Sequence, residues 1–290
     1  MPNITMIQSE TASNNLKEEL KRVIARVQQT TTVAQMEHLI TEYVDSDRVL
    51  FINKAFEVLL NRSENARLLY GRVRSILEQD HVITAITDAF LYDYSFRPLR
   101  TSEARAQSLQ VAAETLKHLE KEYPGSTEAL TARMIYDDFT WGNGKYKSVE
   151  EIGKGVSPYY RQLQRVEPTN PHLIYFSILT NRENENSRIK RYKTIIDHPE
   201  FDRYTLKQRD AAYIGLMQLL YDQKRTRELE FYTERYVKYL FANQRIETIT
   251  YRSVLISSVL DLACLRDLRR RLTAAGYPPS QWRYKPLPKP

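Results

Sequence analysis

Residues 112–126 read AAETLKHLEKEYPGS, and this stretch sets the fold class of the 290-residue chain. Ala112, Leu116 and Leu119 recur at helical spacing, so one small and two large apolar side chains share a helix face. A proline and a glycine then end the helix, because proline lacks a backbone donor and glycine tolerates turn geometry. A second helical stretch comes directly after them. The pattern predicts a packed helix pair, the unit of stacked helical repeats.

The composition favours helices over sheets along the whole chain. Hydrophobic residues make up 42% of the sequence, which is enough to bury a large core. Only 8 residues are glycine, and four of them lie within residues 142–155. Strand-rich folds need turn residues at short intervals. We therefore predict an all-α fold.

Apolar periodicity and capping residues predict about fourteen helices. Thr32 is placed to cap the second helix, and Ser46 or Asp47 the third. Ser157 and Pro158 can begin the eighth as its cap and first residue. The predicted helices cover residues 14–28, 33–44, 47–60, 64–79, 82–94, 102–123, 128–139, 158–166, 173–178, 187–197, 206–221, 226–241, 245–262 and 265–275.

Breaks in this pattern divide the chain into four predicted segments. Residues 1–12 are expected to form a flexible N-terminus, and residues 13–97 an N-terminal helical bundle. A proline within residues 96–99 (FRPL) disfavours helix and separates the bundle from the later helices. Residues 98–275 form the predicted repeat region. The last segment, residues 276–290, is predicted to be an extended, proline-rich basic tail.

The stretch that ends at Pro124 resembles the second helix of a tetratricopeptide repeat. Residues 119–126 are also similar to linkers in bacterial envelope repeat proteins of that class, and the resemblance extends over about residues 105–240. It implies antiparallel helix pairs stacked as an α-solenoid that binds another protein or a peptide. The three matches rest on Ala112, Leu116, Leu119 and Pro124; on Val156, Tyr160, Leu163 and Pro168; and on Ala212, Leu229, Tyr232 and Tyr236.

Tyrosine is unusually frequent, with 20 residues. Its side chain combines a large apolar face with a hydroxyl group and is enriched in recognition surfaces. Packing between helices is the alternative role for these side chains. The tyrosines that we predict as partner contacts are Tyr159, Tyr160, Tyr213, Tyr232 and Tyr236.

The positive charge is concentrated at the C-terminal end. The whole chain carries a net charge of +7, and residues 266–290 hold seven basic side chains against one acidic side chain. Such a patch can bind the phosphates of a nucleic acid, or it can complement the dipole of the last helix. The residues that define this basic patch are Arg266, Arg269, Arg270, Arg271, Arg283 and Lys285.

No motif in the sequence indicates catalysis. Residues 142–146 (GNGKY) lack the spacing of a phosphate-binding loop. The five histidines are scattered, so we expect each in a turn or on the surface. The adjacent Asp137 and Asp138 are expected to be charges on a helix surface, and Cys264 a small core residue. We predict a protein that is not an enzyme and has no cofactor and no metal site.

The sequence also gives an expectation for the compartment. A single cysteine excludes an internal disulfide, and residues 1–10 lack the pattern of a secretory signal. No apolar run reaches the roughly 20 residues that span a bilayer. We expect a cytoplasmic protein, or an envelope protein if a signal peptide has been removed.

These observations lead to two function hypotheses, while a third, an enzyme with a dispersed active site, has no constellation of residues to support it. The first is a non-enzymatic helical-repeat scaffold or adaptor that binds a protein or peptide partner on its concave face. The second is an accessory protein that binds nucleic acid or an anionic surface through its basic C-terminal end. The sequence leaves the oligomeric state open.

Overall fold

The computed structural model describes residues 4–44, 49–90, 102–141, 148–181 and 183–241. Every regular element in these ranges is helical, so the predicted all-α class is confirmed for them. The elements are α1 (Ile4–Gln29), α2 (Val33–Val44), α3 (Val49–Leu60), α4 (Ala66–Phe90), α5 (Ser102–Glu122), α6 (Thr127–Phe139), α7 (Val149–Val166), α8 (His172–Thr180), α9 (Glu185–Ile196), a 3₁₀ turn (Phe201–Arg203), α10 (Leu206–Asp222) and α11 (Thr226–Phe241).

Several helix boundaries agree with local signals in the sequence. Helix α11 spans the predicted residues 226–241. Thr32 caps α2, because its hydroxyl oxygen accepts the backbone N–H of Gln35 at 3.2 Å. The predicted helix over residues 14–28 lies within α1, which begins earlier, at Ile4. Local propensity and capping therefore explain much of the helix pattern.

The predicted break within α4 is wrong. The sequence pattern predicts two helices, over residues 64–79 and 82–94, but one continuous helix reaches Phe90. Neither glycine nor proline occurs between residue 72 and Phe96, so nothing in the backbone chemistry of this stretch ends the helix.

The predicted start of α7 is also wrong, since Pro158 lies inside this helix rather than at its beginning. The helix starts instead at a capping box. The hydroxyl oxygen of Ser148 accepts the N–H of Glu151 at 3.2 Å, and the Glu151 carboxylate accepts the N–H of Ser148 at 3.0 Å. This reciprocal cap positions the first turn of α7, which borders the candidate site described below.

Helices α5 and α6 form the helix pair that residues 112–126 predict. The three apolar side chains that define the helix face are all buried. Gly125 adopts a left-handed backbone conformation with φ of 74°, which glycine reaches without strain. Ser126 then caps α6, because its hydroxyl oxygen accepts the N–H of Ala129 at 3.2 Å. The turn chemistry predicted from the sequence is thus confirmed.

Each helix from α4 to α11 packs against the next helix in chain order. Their apolar faces form the main core. Helices α1 to α3 enclose a smaller core around Met36, Ile40 and Phe56, which Leu206 of α10 completes. In addition, α2 contacts the 3₁₀ turn and α4 contacts α10. The N-terminal helices therefore pack against the later part of the chain.

None of the helices in the described ranges has the length and apolar character needed to cross a membrane. The predicted helices over residues 245–262 and 265–275 lie outside the described residues, as do the tail over residues 276–290 and the predicted caps Ser46 and Asp47. The division into four segments stays a prediction.

Candidate functional site

A group of polar side chains is sealed between the N-terminal helices and the later ones. It joins α2 and α4 to α8, the 3₁₀ turn and α10, and its members are buried. We call this group the buried cluster. It consists of Glu37, Tyr70, Arg74, Glu78, His172, Arg203 and Gln208.

Glu37 is the centre of the buried cluster. One carboxylate oxygen accepts the hydroxyl of Tyr70 at 2.7 Å and the Nε2–H of His172 at 2.9 Å. The other oxygen accepts the Nε–H of Arg203 at 2.7 Å. Arg74 lies 3.3 Å from the first oxygen. A single carboxylate from α2 therefore binds side chains from α4, α8 and the 3₁₀ turn.

Glu78 supplies a second buried carboxylate. It accepts the backbone N–H of Leu206 at 2.8 Å, at the first residue of α10, and the Nε–H of Arg74 at 3.3 Å. Arg74 also donates to the main-chain carbonyl of Arg203 at 2.8 Å. An acidic group near a helix N-terminus is favourable because it matches the positive end of the helix dipole. These contacts hold α10 against α4.

Both ring nitrogens of His172 lie within hydrogen-bond distance of an oxygen atom. Nε2 faces the Glu37 carboxylate, which can only accept, and Nδ1 lies 2.8 Å from Oε1 of Gln208. That amide oxygen also accepts the N–H of Thr205 at 3.1 Å, which fixes its orientation. His172 therefore links α8 to α2 and to the first turn of α10.

The expectation that every histidine lies in a turn or on the surface is wrong for His172, which is fully buried. Its contacts with Glu37 and Gln208 give both ring nitrogens the hydrogen-bond partners that burial requires. His38 and His118 have exposed side chains, each beside an acidic group, and His198 is half-buried.

Charge pairing has a larger effect than burial on the pKa of Glu37. Burial alone raises the pKa of this carboxyl by penalising its charged form, but His172, Arg74 and Arg203 lower the pKa to about 2. At Tyr70, burial and the nearby Glu37 carboxylate raise the pKa well above its usual value of 10. Glu37 is consequently ionised and Tyr70 neutral, which suits the hydrogen bond between them. The cluster joins helices through matched charges and is closed to solvent, so its role is structural.

A second polar region is open to solvent. A cleft of about 670 Å³ lies between the C-terminal end of α6 and helices α7 to α10. At its edge Trp141 and Val149 are 44% and 48% exposed. We call this region the central cleft. Its principal lining side chains are Asp138, Trp141, Val149, Ile152, Tyr175, Ile178, Arg188, Tyr192 and Lys207.

Gly153 allows α7 and α8 to approach closely beside the cleft. A Cβ atom at this position would lie 1.9 Å from the main-chain carbonyl oxygen of Leu179. Backbone atoms cannot move aside as a flexible side chain can, so glycine sets the separation of the two helices. The shape of the cleft therefore depends on this contact.

Asp138 and Lys207 form an ion pair in the cleft wall. The Lys207 ammonium donates to Oδ1 of Asp138 at 3.1 Å and also to the main-chain carbonyl of the same residue. The Tyr175 hydroxyl donates to the carboxylate at 3.4 Å. Burial and the charge of Asp138 raise the pKa of Tyr175 well above 10, so the phenol stays neutral.

The expectation that Asp137 and Asp138 are surface charges is wrong, because both are buried. Helix α6 packs against α4, α5 and α7, which leaves little of its circumference exposed. Each carboxylate has a cationic neighbour: Arg133 lies 3.9 Å from Asp137, and Lys207 pairs with Asp138. Adjacent acidic residues thus face different partners.

Lys207 also lies beside the exposed aromatic edge of the cleft. Its Nζ atom is 5.4 Å from the ring centre of Phe139 and 6.0 Å from that of Trp141. Cations are attracted to aromatic faces at such distances. The ion pair and the indole are therefore parts of one surface.

Most charges around the cleft are paired within the protein. Besides the Asp138 pair, Lys154 lies 3.3 Å from Glu150, and Glu183 accepts from Arg191 at 2.7 Å. Arg188 is different: this half-buried guanidinium forms no ion pair with any residue in the described ranges. The lining thus offers one positive group whose charge is not already matched.

The predicted partner-contact tyrosines do not line the central cleft. Tyr159 and Tyr160 are half-buried on α7 and pack against the main core. Tyr213, Tyr232 and Tyr236 are buried in that core, and the rings of Tyr213 and Tyr236 stack with centres 4.7 Å apart. The structure thus gives these three rings the packing role that the sequence left as the alternative.

The side chains that do form the cleft carry weak sequence signals. Nothing in the sequence distinguishes Tyr175 among the 20 tyrosines, and Lys207 belongs to no motif. Tyr192 lies in the basic stretch of residues 188–193 (RIKRYK), which the sequence favours as a solvated helix face. The adjacent acidic pair that includes Asp138, with Trp141 just beyond it, is the signal that could have pointed to the site. All six residues of the predicted basic patch lie outside the described residues.

In the part of the chain that the structure describes, no three His, Cys, Asp or Glu side chains are grouped to hold a metal ion. Comparisons with protein-family models, with curated proteins and with solved structures find no match to this chain. The functional interpretation therefore rests on the geometry of the central cleft.

Proposed function

We propose that this chain is a non-enzymatic helical-repeat protein of the tetratricopeptide type, a scaffold or adaptor that binds a protein or peptide partner in the central cleft. The main support is the open cleft itself, with Trp141 and Val149 exposed at its edge. Binding sites for small groups and peptides are concave, mostly apolar and largely preformed. The cleft has all three properties.

The packing order supports the repeat part of the proposal. Consecutive helices from α4 to α11 contact one another, and the α5–α6 pair has the buried face and glycine turn on which the tetratricopeptide resemblance rests. Helical repeats commonly present a recognition surface on a rigid frame. The predicted tyrosines contribute mainly to packing, so we place the binding surface in the central cleft instead.

The polar groups of the cleft favour recognition over catalysis. The Lys207 nitrogen donates to two oxygens of Asp138, and the Tyr175 phenol donates to the same carboxylate. Groups engaged with one another in this way are suited to holding a defined surface. A nucleophile needs instead a base poised to take its proton.

A capture experiment with two matched variants tests the proposal. Val149 and Val166 are exposed valines on α7, 48% and 55% respectively, but only Val149 lines the cleft. We expect a protein retained from nuclease-treated native lysate by the wild-type chain and by Val166→Arg to be lost with Val149→Arg. Equal retention by all three chains would contradict the proposal, because the binding surface would then lie outside the cleft. Capture that disappears with nuclease would also contradict it and would favour the basic C-terminal end.

A further inference from the structure

We infer that the segment recognised by the central cleft carries an acidic side chain next to a large apolar one, and that Arg188 binds its carboxylate. This inference rests on the proposed function and specifies the class of peptide. Its basis is the one unmatched charge among the described lining residues, together with the apolar surface in the same cleft.

The charges of the lining leave a carboxylate as the complementary group. Lys207 and Lys154 are occupied by Asp138 and Glu150, whereas Arg188 has no acidic partner in the described ranges. A guanidinium presents a planar fork of donors that matches a carboxylate with two parallel hydrogen bonds. Because Arg188 is half-buried, such a pair is less screened by solvent than one on an open surface.

The apolar requirement comes from the exposed edge of the cleft. Trp141 and Val149 are two of the few large apolar side chains that remain exposed in the described ranges, and both face this cleft. The buried Ile152 and Ile178 continue the apolar surface inward. A Phe, Leu or Trp side chain seated there would remove apolar area from water, which is the main favourable term in peptide binding.

Two observations favour an acidic side chain over a terminal carboxylate or a phosphate. A terminal carboxylate is usually captured by a nest of backbone N–H groups, but in the first turn of α7 a capping box uses N–H groups of Ser148 and Glu151. Phosphate recognition usually employs a cluster of arginines. Here a single unmatched arginine is present in the described lining, which suits one carboxylate.

Selection from a phage-displayed library of random octapeptides tests the inference with the full-length chain as bait. We expect enrichment of peptides with Asp or Glu within two positions of Phe, Leu or Trp. The same selection with Arg188→Gln is expected to lose the acidic preference and keep the apolar one. Lys190→Gln is the matched control, since this exposed cation lies on the same helix but does not line the cleft.

The affinity of one enriched peptide then measures the contribution of Arg188. Trp282→Phe leaves Trp141 as the sole tryptophan and thus a fluorescence reporter in the cleft. In this background we expect Arg188→Gln to weaken binding about tenfold, the size expected for a lost charge-assisted hydrogen bond, and Lys190→Gln to have little effect. Replacing the acidic residue of the peptide by its amide should weaken binding to the parent chain by the same factor as Arg188→Gln does. The same replacement should not weaken binding to the Arg188→Gln variant any further.

Selected peptides without an acidic preference, no selected peptides, or equal effects of the two substitutions would overturn the inference. Circular dichroism of both variants establishes that each is folded. Failure here is separate from failure of the proposed function, because the capture of a partner through Val149 does not depend on the charge of that partner.

Discussion

The buried cluster and the central cleft use the same chemical groups for different ends. Each surrounds a carboxylate with a cation and a tyrosine hydroxyl. In the cluster, Arg203 and Tyr70 contact Glu37. In the cleft, Lys207 and Tyr175 contact Asp138. In the cluster every neighbour is buried, whereas the cleft opens onto the exposed indole of Trp141. The space around an ion pair, rather than its residue types, therefore separates a structural contact from a candidate binding surface.

We therefore expect the loss of one ion-pair member to cost more stability in the buried cluster than in the central cleft. An ion pair removed from water loses solvation, so its members depend on each other, and deleting one leaves an uncompensated charge. A pair beside an open cleft can recover part of that loss from water. Four experiments test this contrast, in order of decreasing expected effect.

The substitution Glu37→Gln should have the largest effect. It leaves Arg74, Arg203 and His172 facing an uncharged amide in a buried site, and we expect the free energy of unfolding to fall by about 3–5 kcal/mol. Urea unfolding monitored by circular dichroism measures this change. Glu42→Gln on the same helix is the control. Glu42 forms an ion pair with Arg26 in which both side chains are exposed, so we expect its substitution to cost less than about 1 kcal/mol. Equal urea midpoints for the two variants would contradict a structural role for the buried cluster.

Acid should weaken the cluster by the same route. The pKa of Glu37 is about 2 in the folded chain and 4.5 for an unperturbed carboxyl. A group whose folded pKa is depressed stabilises the protein above its unfolded pKa, and this contribution disappears as the pH falls toward the folded pKa. Between about pH 5 and pH 2 we expect the wild type to lose about 3 kcal/mol more than Glu37→Gln. Parallel pH profiles of the two chains in urea unfolding would show that Glu37 is not the group responsible.

Gly153→Ala should disturb the cleft through its walls rather than its charges. The added methyl group meets the Leu179 carbonyl oxygen, so α7 and α8 must separate, which we expect to cost about 1–3 kcal/mol. Binding of the selected peptide should weaken as well. Lys154→Ala, at the next position of α7, is the control. The Lys154 side chain is exposed, so we expect this substitution to change stability little. The close helix contact is refuted if both variants unfold at the same urea concentration.

Lys207→Met should have the smallest effect on stability. It leaves the Asp138 carboxylate with the Tyr175 hydroxyl but without its cation, in the wall of an open cleft where the Lys207 side chain itself is partly exposed. We expect a loss of about 1–2 kcal/mol, below that of Glu37→Gln. Lys154→Met removes an exposed cation at the same cleft and serves as the control. A loss as large as that of Glu37→Gln would mean that the cleft is as closed as the cluster.

Helices are predicted well from the sequence wherever a local signal decides the structure. The Thr32 cap, the turn at Gly125 and the span of α11 all depend on residues a few positions apart. The capping box at Ser148 is equally local, although Pro158 is the stronger signal in the sequence and points to the wrong start. For helix boundaries, the information is contained in short stretches of chain.

The candidate site is much harder to predict. The lysine of the cleft pair lies 69 residues from its aspartate, so neither residue indicates the other in the sequence. Tyr232 and Tyr236 have helical spacing, but spacing alone does not distinguish a buried ring from an exposed one. Exposure depends on which helices pack together, and that depends on the whole chain.

Hydrophobic periodicity and backbone chemistry act over short distances, so the amino-acid sequence alone was enough for the all-α class, most helix spans and the α5–α6 turn. The burial of His172 and Asp138 emerged only from the packed helices, as did the lack of an acidic partner for Arg188 among the described residues. Glu37 meets Arg203 across 166 residues of sequence. Such contacts depend on helix packing, which brings distant charges together and fixes how much water reaches them.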